Sequence, residues 1–167
     1  MTGCAAVVNR AAPMRRRHAG RRRIGRGRAA AAREIASAHV RSLLGEQLVQ
    51  IATSDSHTVR PWFAGKVPFS PAVIDLADRG FPLLGGRVDF VLDQPAAALV
   101  YERRKHRINV FVVPQDRLPV SVPFHTVYNG YNVLAWRDRG FAYFSVSELN
   151  PAELQEFADA LASATPS

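Results

Sequence analysis

The chain has 167 residues, with 22 Lys plus Arg against 14 Asp plus Glu, a formal charge of +8. Its single cysteine, Cys4, excludes an intrachain disulfide framework and a cysteine-based zinc site. No apolar run approaches the roughly 18–20 residues of a membrane span.

The charge is unevenly spread. Residues 1–41 carry eleven arginines and one acid, Glu34, a net +10, so the remainder is mildly acidic at −2. All 15 aromatic residues lie at or after Trp62, and a core is hard to build without large side chains. Three regions follow: a disordered Arg/Ala/Gly-rich tail over 1–29, a connector or stalk helix over 30–53, and one α+β domain over 54–163.

In the tail, Arg15, Arg16, Arg17 and Arg21, Arg22, Arg23 could grip phosphates non-specifically. No aromatic interleaves to stack bases, so a solvated tail is favoured over nucleic-acid binding. A third reading is that residues 1–33 are translated from a wrong start or frame of a GC-rich gene.

Helix one is predicted from about Ala30 to Ala52, on the stripe Val40, Leu44, Leu48 and Ile51. His57 to Pro68 reads as a loop. A second helix is expected from Pro71 to Arg79, with Ser70 as N-cap and Gly80 as the stop. Strands follow at Arg87–Leu92, Ala96–Arg103 and Arg107–Val113, forming a meander, then at Phe124–Tyr128, Tyr131–Arg137 and Phe141–Val146. Gly85-Gly86 reads as a bulge or a close backbone approach rather than a nucleotide loop. Asn150 and Pro151 open a closing helix whose stripe is Leu154, Phe157, Ala158 and Leu161. The predicted class is α+β: an antiparallel sheet of about five or six strands with helices on one face.

Motifs for chemistry are sparse. There is no phosphate loop, nucleophile elbow or dinucleotide fingerprint, and no cofactor is called for. The histidines show no metal-ligand spacing, so no metal site and no catalytic residue is assigned. Asp55 with His57 could open an acid–base pair, but no nucleophile accompanies them, and Asp55 reads more simply as a turn residue. A hydrolase would need Asp55, His57 and Arg60 to converge on one pocket. His57, Arg60, Trp62 and Trp136 are the candidate ligand contacts, set against plain packing of the tryptophans. Tyr131 and Tyr143 are expected to stack on each other across their hairpin.

Several blocks resemble a known family. Ser42-Leu43-Leu44 comes first, then Ser54-Asp55-Ser56-His57-Thr58-Val59-Arg60-Pro61-Trp62-Phe63-Ala64-Gly65-Lys66, within which the block from His57 to Phe63 is the most telling. Phe69-Ser70-Pro71, Gly80 through Asp89, Ala98-Leu99-Val100-Tyr101, His106 through Phe111, Gly130-Tyr131-Asn132-Val133, Trp136-Arg137 and Ser147-Glu148-Leu149-Asn150 follow in order. Together they resemble the periplasmic part of the membrane-anchored anti-sigma factors of proteobacteria, the transmembrane transcriptional regulators, over about residues 35–162. The resemblance implies a non-catalytic sensor domain controlling an extracytoplasmic-function sigma factor, hence transcription. It also implies an inner-membrane position with this domain in the periplasm.

The sigma-binding segment of that family, with its His-x-x-x-Cys-x-x-Cys zinc motif, and its span are not matched here. The expected sigma-factor partner would therefore be held by a domain this chain does not show, and the chain alone could at best bind a signal or form a homodimer. As written, without a signal peptide or span, it is expected to remain cytoplasmic, and the true gene is expected to begin further upstream. The alternative is a soluble, basic-tailed, nucleic-acid-associated protein.

Overall fold

A computed structural model describes residues 16–45 and 48–164, with side chains from Arg23 onward. The elements in chain order are α1 (Arg16–Leu44), β1 (Ile51–Ala52), α2 (Ser56–Trp62), β2 (Leu83–Val91), β3 (Gln94–Arg103), β4 (His106–Pro114), β5 (Phe124–Tyr128), β6 (Tyr131–Asp138), β7 (Phe141–Ser147) and α3 (Pro151–Ala164). The class is α+β. All strand pairs are antiparallel in one seven-stranded sheet, ordered β1-β2-β3-β4-β7-β6-β5. Two meanders meet where β4 pairs with β7, with Phe111 opposite Phe144.

The strands alternate between two buried faces, as a period of two requires when both sides are covered. Ala98, Phe111, Val113, Val133 and Phe144 point to one face. Leu99, Tyr101, Ile108, Val110 and Val112 point to the other. The second face receives α3, whose Leu154, Phe157 and Leu161 are buried as the stripe predicts. Asn150 caps α3: its Oδ1 accepts from the Glu153 N–H at 2.9 Å and its amide donates to the Glu153 carboxylate at 2.7 Å. Phe157 sits edge-on to Phe81 and Tyr101, with ring centroids 5.3 and 5.0 Å away.

The first face is covered by α1, and here the sequence reading is corrected twice. The helix begins at Arg16, inside the segment expected to be a disordered tail, and ends at Leu44 rather than Ala52. Gly45 follows Leu44, and its N–H closes back on the Arg41 carbonyl at 3.0 Å, a terminus that glycine favours. The buried side is also not the predicted stripe. Ala31, Ala32, Ile35, Ala36 and Ala38 pack on the sheet, whereas Leu44 is 83% exposed. Alanine lets a helix backbone lie close to a sheet, so α1 is part of the core rather than a free stalk. Ile51 and Ala52, expected at the helix end, form β1 instead.

The loop and the second helix are exchanged relative to expectation. Residues 56–62 are helical, capped by Asp55, whose carboxylate accepts from the His57 N–H at 2.9 Å and from the Thr58 hydroxyl at 2.7 Å. The segment after Ser70 forms no α-helix, leaving only a 3₁₀ turn at Ala77–Arg79, with Gly80 left-handed behind it. Tertiary pins override the local caps. The Tyr101 hydroxyl donates to the Ile74 carbonyl at 2.8 Å, and the Asp75 carboxylate accepts from the Leu83 N–H at 2.8 Å. Gly85-Gly86 lies at the expected irregularity. A Cβ on Gly85 would sit 1.9 Å from the Ile51 carbonyl oxygen, and one on Gly86 2.9 Å from the Phe63 ring.

Candidate functional site

The four residues singled out as ligand contacts do not converge. His57, Arg60 and Trp62 share the short helix α2, placed by the Asp55 cap. His57 and Arg60 are exposed. Hydrogen bonds from Thr58 and the His57 amide hold the Asp55 carboxyl below its ordinary range, so Asp55 is a cap and not a base for His57. Arg60 reaches Ser70 at 3.5 Å. The polar pocket a hydrolase would need from Asp55, His57 and Arg60 is therefore not assembled.

Trp62 is half-buried, edge-on to Phe63 at 5.2 Å, with the Lys66 ammonium 4.8 Å from its ring. Trp136 lies on β6 and stacks flat on Tyr143 at 5.2 Å and 9°. Tyr143 thus pairs with Trp136 and not, as expected, with Tyr131, which instead meets His39 edge-on at 5.1 Å. Of the arginines read as phosphate contacts, Arg15 and the side chains of Arg16, Arg17, Arg21 and Arg22 lie outside the described residues. Arg23 is exposed on α1. No group of three or more His, Cys, Asp or Glu among the described residues could hold a metal ion. None of the helices described is long and apolar enough to cross a membrane.

The most unusual chemistry lies between α1 and the sheet. His39 is fully buried, and neither ring nitrogen has a hydrogen-bond partner among the described residues. Burial, reinforced by the positive charge of Arg87 and only partly opposed by Glu148, lowers its pKa from 6.5 to about 4. Its ring is neutral at pH 7. One turn on, the buried Ser42 hydroxyl donates to the His39 carbonyl at 2.7 Å and accepts from the buried Asn109 amide of β4 at 2.8 Å. Nearby Arg87, 5% exposed, donates twice to Asp89, at 3.1 and 3.2 Å, and once to the Leu48 carbonyl at 3.1 Å. Its guanidinium lies 5.5 Å from the Phe111 ring. Farther along α1, the Glu34 carboxylate accepts from the Leu92 N–H at 2.6 Å.

A helix seated on alanines gains little apolar area, and these polar pins fix where it sits. A signal was available for one of them. Asn109 interrupts an otherwise apolar strand, Ile108 to Val113, and a buried amide needs a partner from a neighbouring element. His39 and Ser42 carried no such signal, because the predicted stripe placed α1 on a different side.

Compared with models of protein families, with curated proteins and with solved structures, the chain matches none.

Proposed function

We propose that the chain is the regulatory, sensor part of an anti-sigma factor. On this reading it acts by binding and conformational coupling rather than catalysis, controls an extracytoplasmic-function sigma factor, and faces the periplasm beside the inner membrane. The ordered blocks from Ser54 to Asn150 support the family. The observation that carries the mechanism is the seating of α1: the helix that leads into the domain is fixed to the sheet by Ser42–Asn109 and Glu34–Leu92. An event at the sheet that breaks these bonds changes the helix, and a helix loosened from its seat is a substrate for proteolysis.

The test is to tag the gene product at its own locus and isolate it from detergent-solubilised cells. An extracytoplasmic-function sigma factor should copurify, and deletion of the gene should raise transcription from that factor's promoters. Absence of a sigma factor together with an unchanged transcript profile would refute the reading.

One observation favours nucleic acid instead. Arg23, Arg26, Arg33 and Arg41 are exposed on a formed helix, which presents charge to phosphates without an ordering cost. A salt titration decides: tight DNA or RNA binding at physiological salt, abolished when these four become Gln, would replace the sensor reading.

A further inference from the structure

The two lateral edges of the sheet are finished differently. Along β2, beyond the two-residue β1, side chains occupy the free backbone. Gln50 Oε1 accepts from the Val88 N–H at 3.0 Å, Asp89 Oδ1 from the Phe90 N–H at 2.9 Å, and Glu34 from the Leu92 N–H. Such capping removes a template for strand pairing.

The β5 edge has no such finish. A two-residue turn, Asn129-Gly130, both at positive φ, sets Tyr128 opposite Tyr131. In that register Phe124, Thr126 and Tyr128 bond to β6, and the N–H and C=O groups of His125 and Val127 point outward. Among the described residues no side chain or loop bonds to them. The strand reads Phe-His-Thr-Val-Tyr, with no lysine, carboxylate or proline inside it, and Val127 is 57% exposed.

α1 runs beside this edge and leaves a depression at either end of β5. One, of about 320 Å³, is lined by Ile24, Gly27, Pro119 and Val120 with Arg23. The other, of about 290 Å³, is lined by Val40, Tyr128 and Tyr131 with Arg41. Between them Arg28 lies 5.8 Å from the Phe124 ring and bonds the Ser121 carbonyl at 3.3 Å. No carboxylate lines either depression. Arg23, Arg28 and Arg41 have no ion-pair partner among the described residues.

We infer that the β5 edge is a docking site for an extended acidic peptide, which adds an eighth strand beside His125 and Val127. Main-chain bonds to those two residues hold it. On the side of the added strand that faces α1, apolar side chains at its two ends enter the depressions, and carboxylates between them on that same side meet Arg23, Arg28 and Arg41. A second copy of the chain fits less well. Antiparallel pairing of two β5 edges would set two α1 helices on the same face, with their unpaired arginines brought together. This site does not depend on the anti-sigma reading, because no feature of it uses a sigma factor or a membrane.

The test uses the full chain and a blocked heptapeptide with valine at its first and last positions, glutamate at the third and fifth and threonine at the rest, so that one side carries both groups, titrated by calorimetry. Saturable binding is expected, weakening as salt rises, with slowed amide exchange at His125 and Val127. The same peptide with lysine in place of glutamate should not bind. Val127→Pro removes an outward N–H that the ladder does not use and should weaken binding about tenfold or more. Arg41→Glu, an exposed change that leaves the fold intact, should do the same. The proposal is overturned by no saturable binding to the folded chain, or by binding that both variants leave unchanged. It is also overturned by a concentration-dependent dimer that Val127→Pro dissolves and the peptide cannot compete with, which would give the edge to a second copy.

Discussion

The two faces of the sheet are buried by opposite means. Under α3 the contact is made of large rings: Phe157 edge-on to both Phe81 and Tyr101, with Trp136 stacked on Tyr143 on the same face. Under α1 it is made of alanines from the helix against Phe111 and Phe144 from the strands. It is pinned by the bonds of Ser42 with Asn109 and of Glu34 with Leu92, beside a buried histidine and arginine. The α3 face holds by apolar area. The α1 face holds less by area and more by specific bonds, so it is sensitive to volume and to protons in ways the α3 face is not.

The largest expected effect is on the aromatic face. Phe157→Ala removes a ring shared by two others and should cost about 3–5 kcal/mol in denaturant unfolding. A smaller loss would show that α3 re-seats, and would weaken the contrast.

The next is a pH effect belonging to the α1 face. His39 titrates near 4 in the fold and near its ordinary 6.5 when unfolded, so the unfolded chain takes up the proton first as pH falls. Stability is intact above about pH 6.5 and declines between there and about pH 4, by about 3 kcal/mol in all. His39→Leu should flatten that decline, measured as the urea midpoint against pH. An unchanged slope would move the titration elsewhere.

Two substitutions in α1 then separate its sides. Ala32→Leu forces a larger group between helix and sheet and should cost about 1–3 kcal/mol. Leu44→Ser, on a residue that a large-apolar stripe would have buried, should change stability by less than about 0.5 kcal/mol. Equal effects from the two would mean α1 sits on the sheet by a different side.

The same contrast explains what was legible in the sequence. The aromatic face was open to reading: Leu154, Phe157, Ala158 and Leu161 gave α3 its stripe, Asn150 and Glu153 its cap, and alternating strands the antiparallel sheet. The alanine face was not, because Val40, Leu44, Leu48 and Ile51 outweigh alanine in any apolar pattern. Gly45 was the missed stop signal. Ser70, Pro71 and Gly80 carry sound local signals for a helix, but the bonds of Tyr101 to Ile74 and of Asp75 to Leu83 hold that segment in a non-helical path, and such long-range bonds leave no local trace. The candidate site was legible in part. His57, Arg60 and Trp62 fall on one element, yet they point to no common pocket. The polar cluster at His39, Ser42 and Asn109 exists only once α1 is laid across β4.

The alanine surface of α1 also bears on the order in which the molecule is made. Arg28 bonds Ser121 across 93 positions of sequence. At a ribosomal pace of about 5–20 residues per second, roughly 5–20 s separate the synthesis of the helix from that of the loop before β5 to which it is bonded. A leucine-rich face left bare for that interval would be a target for misassociation. An alanine face exposes little to other chains while it waits, and its serine and glutamate remain solvated until Asn109 and Leu92 are in place to bond them.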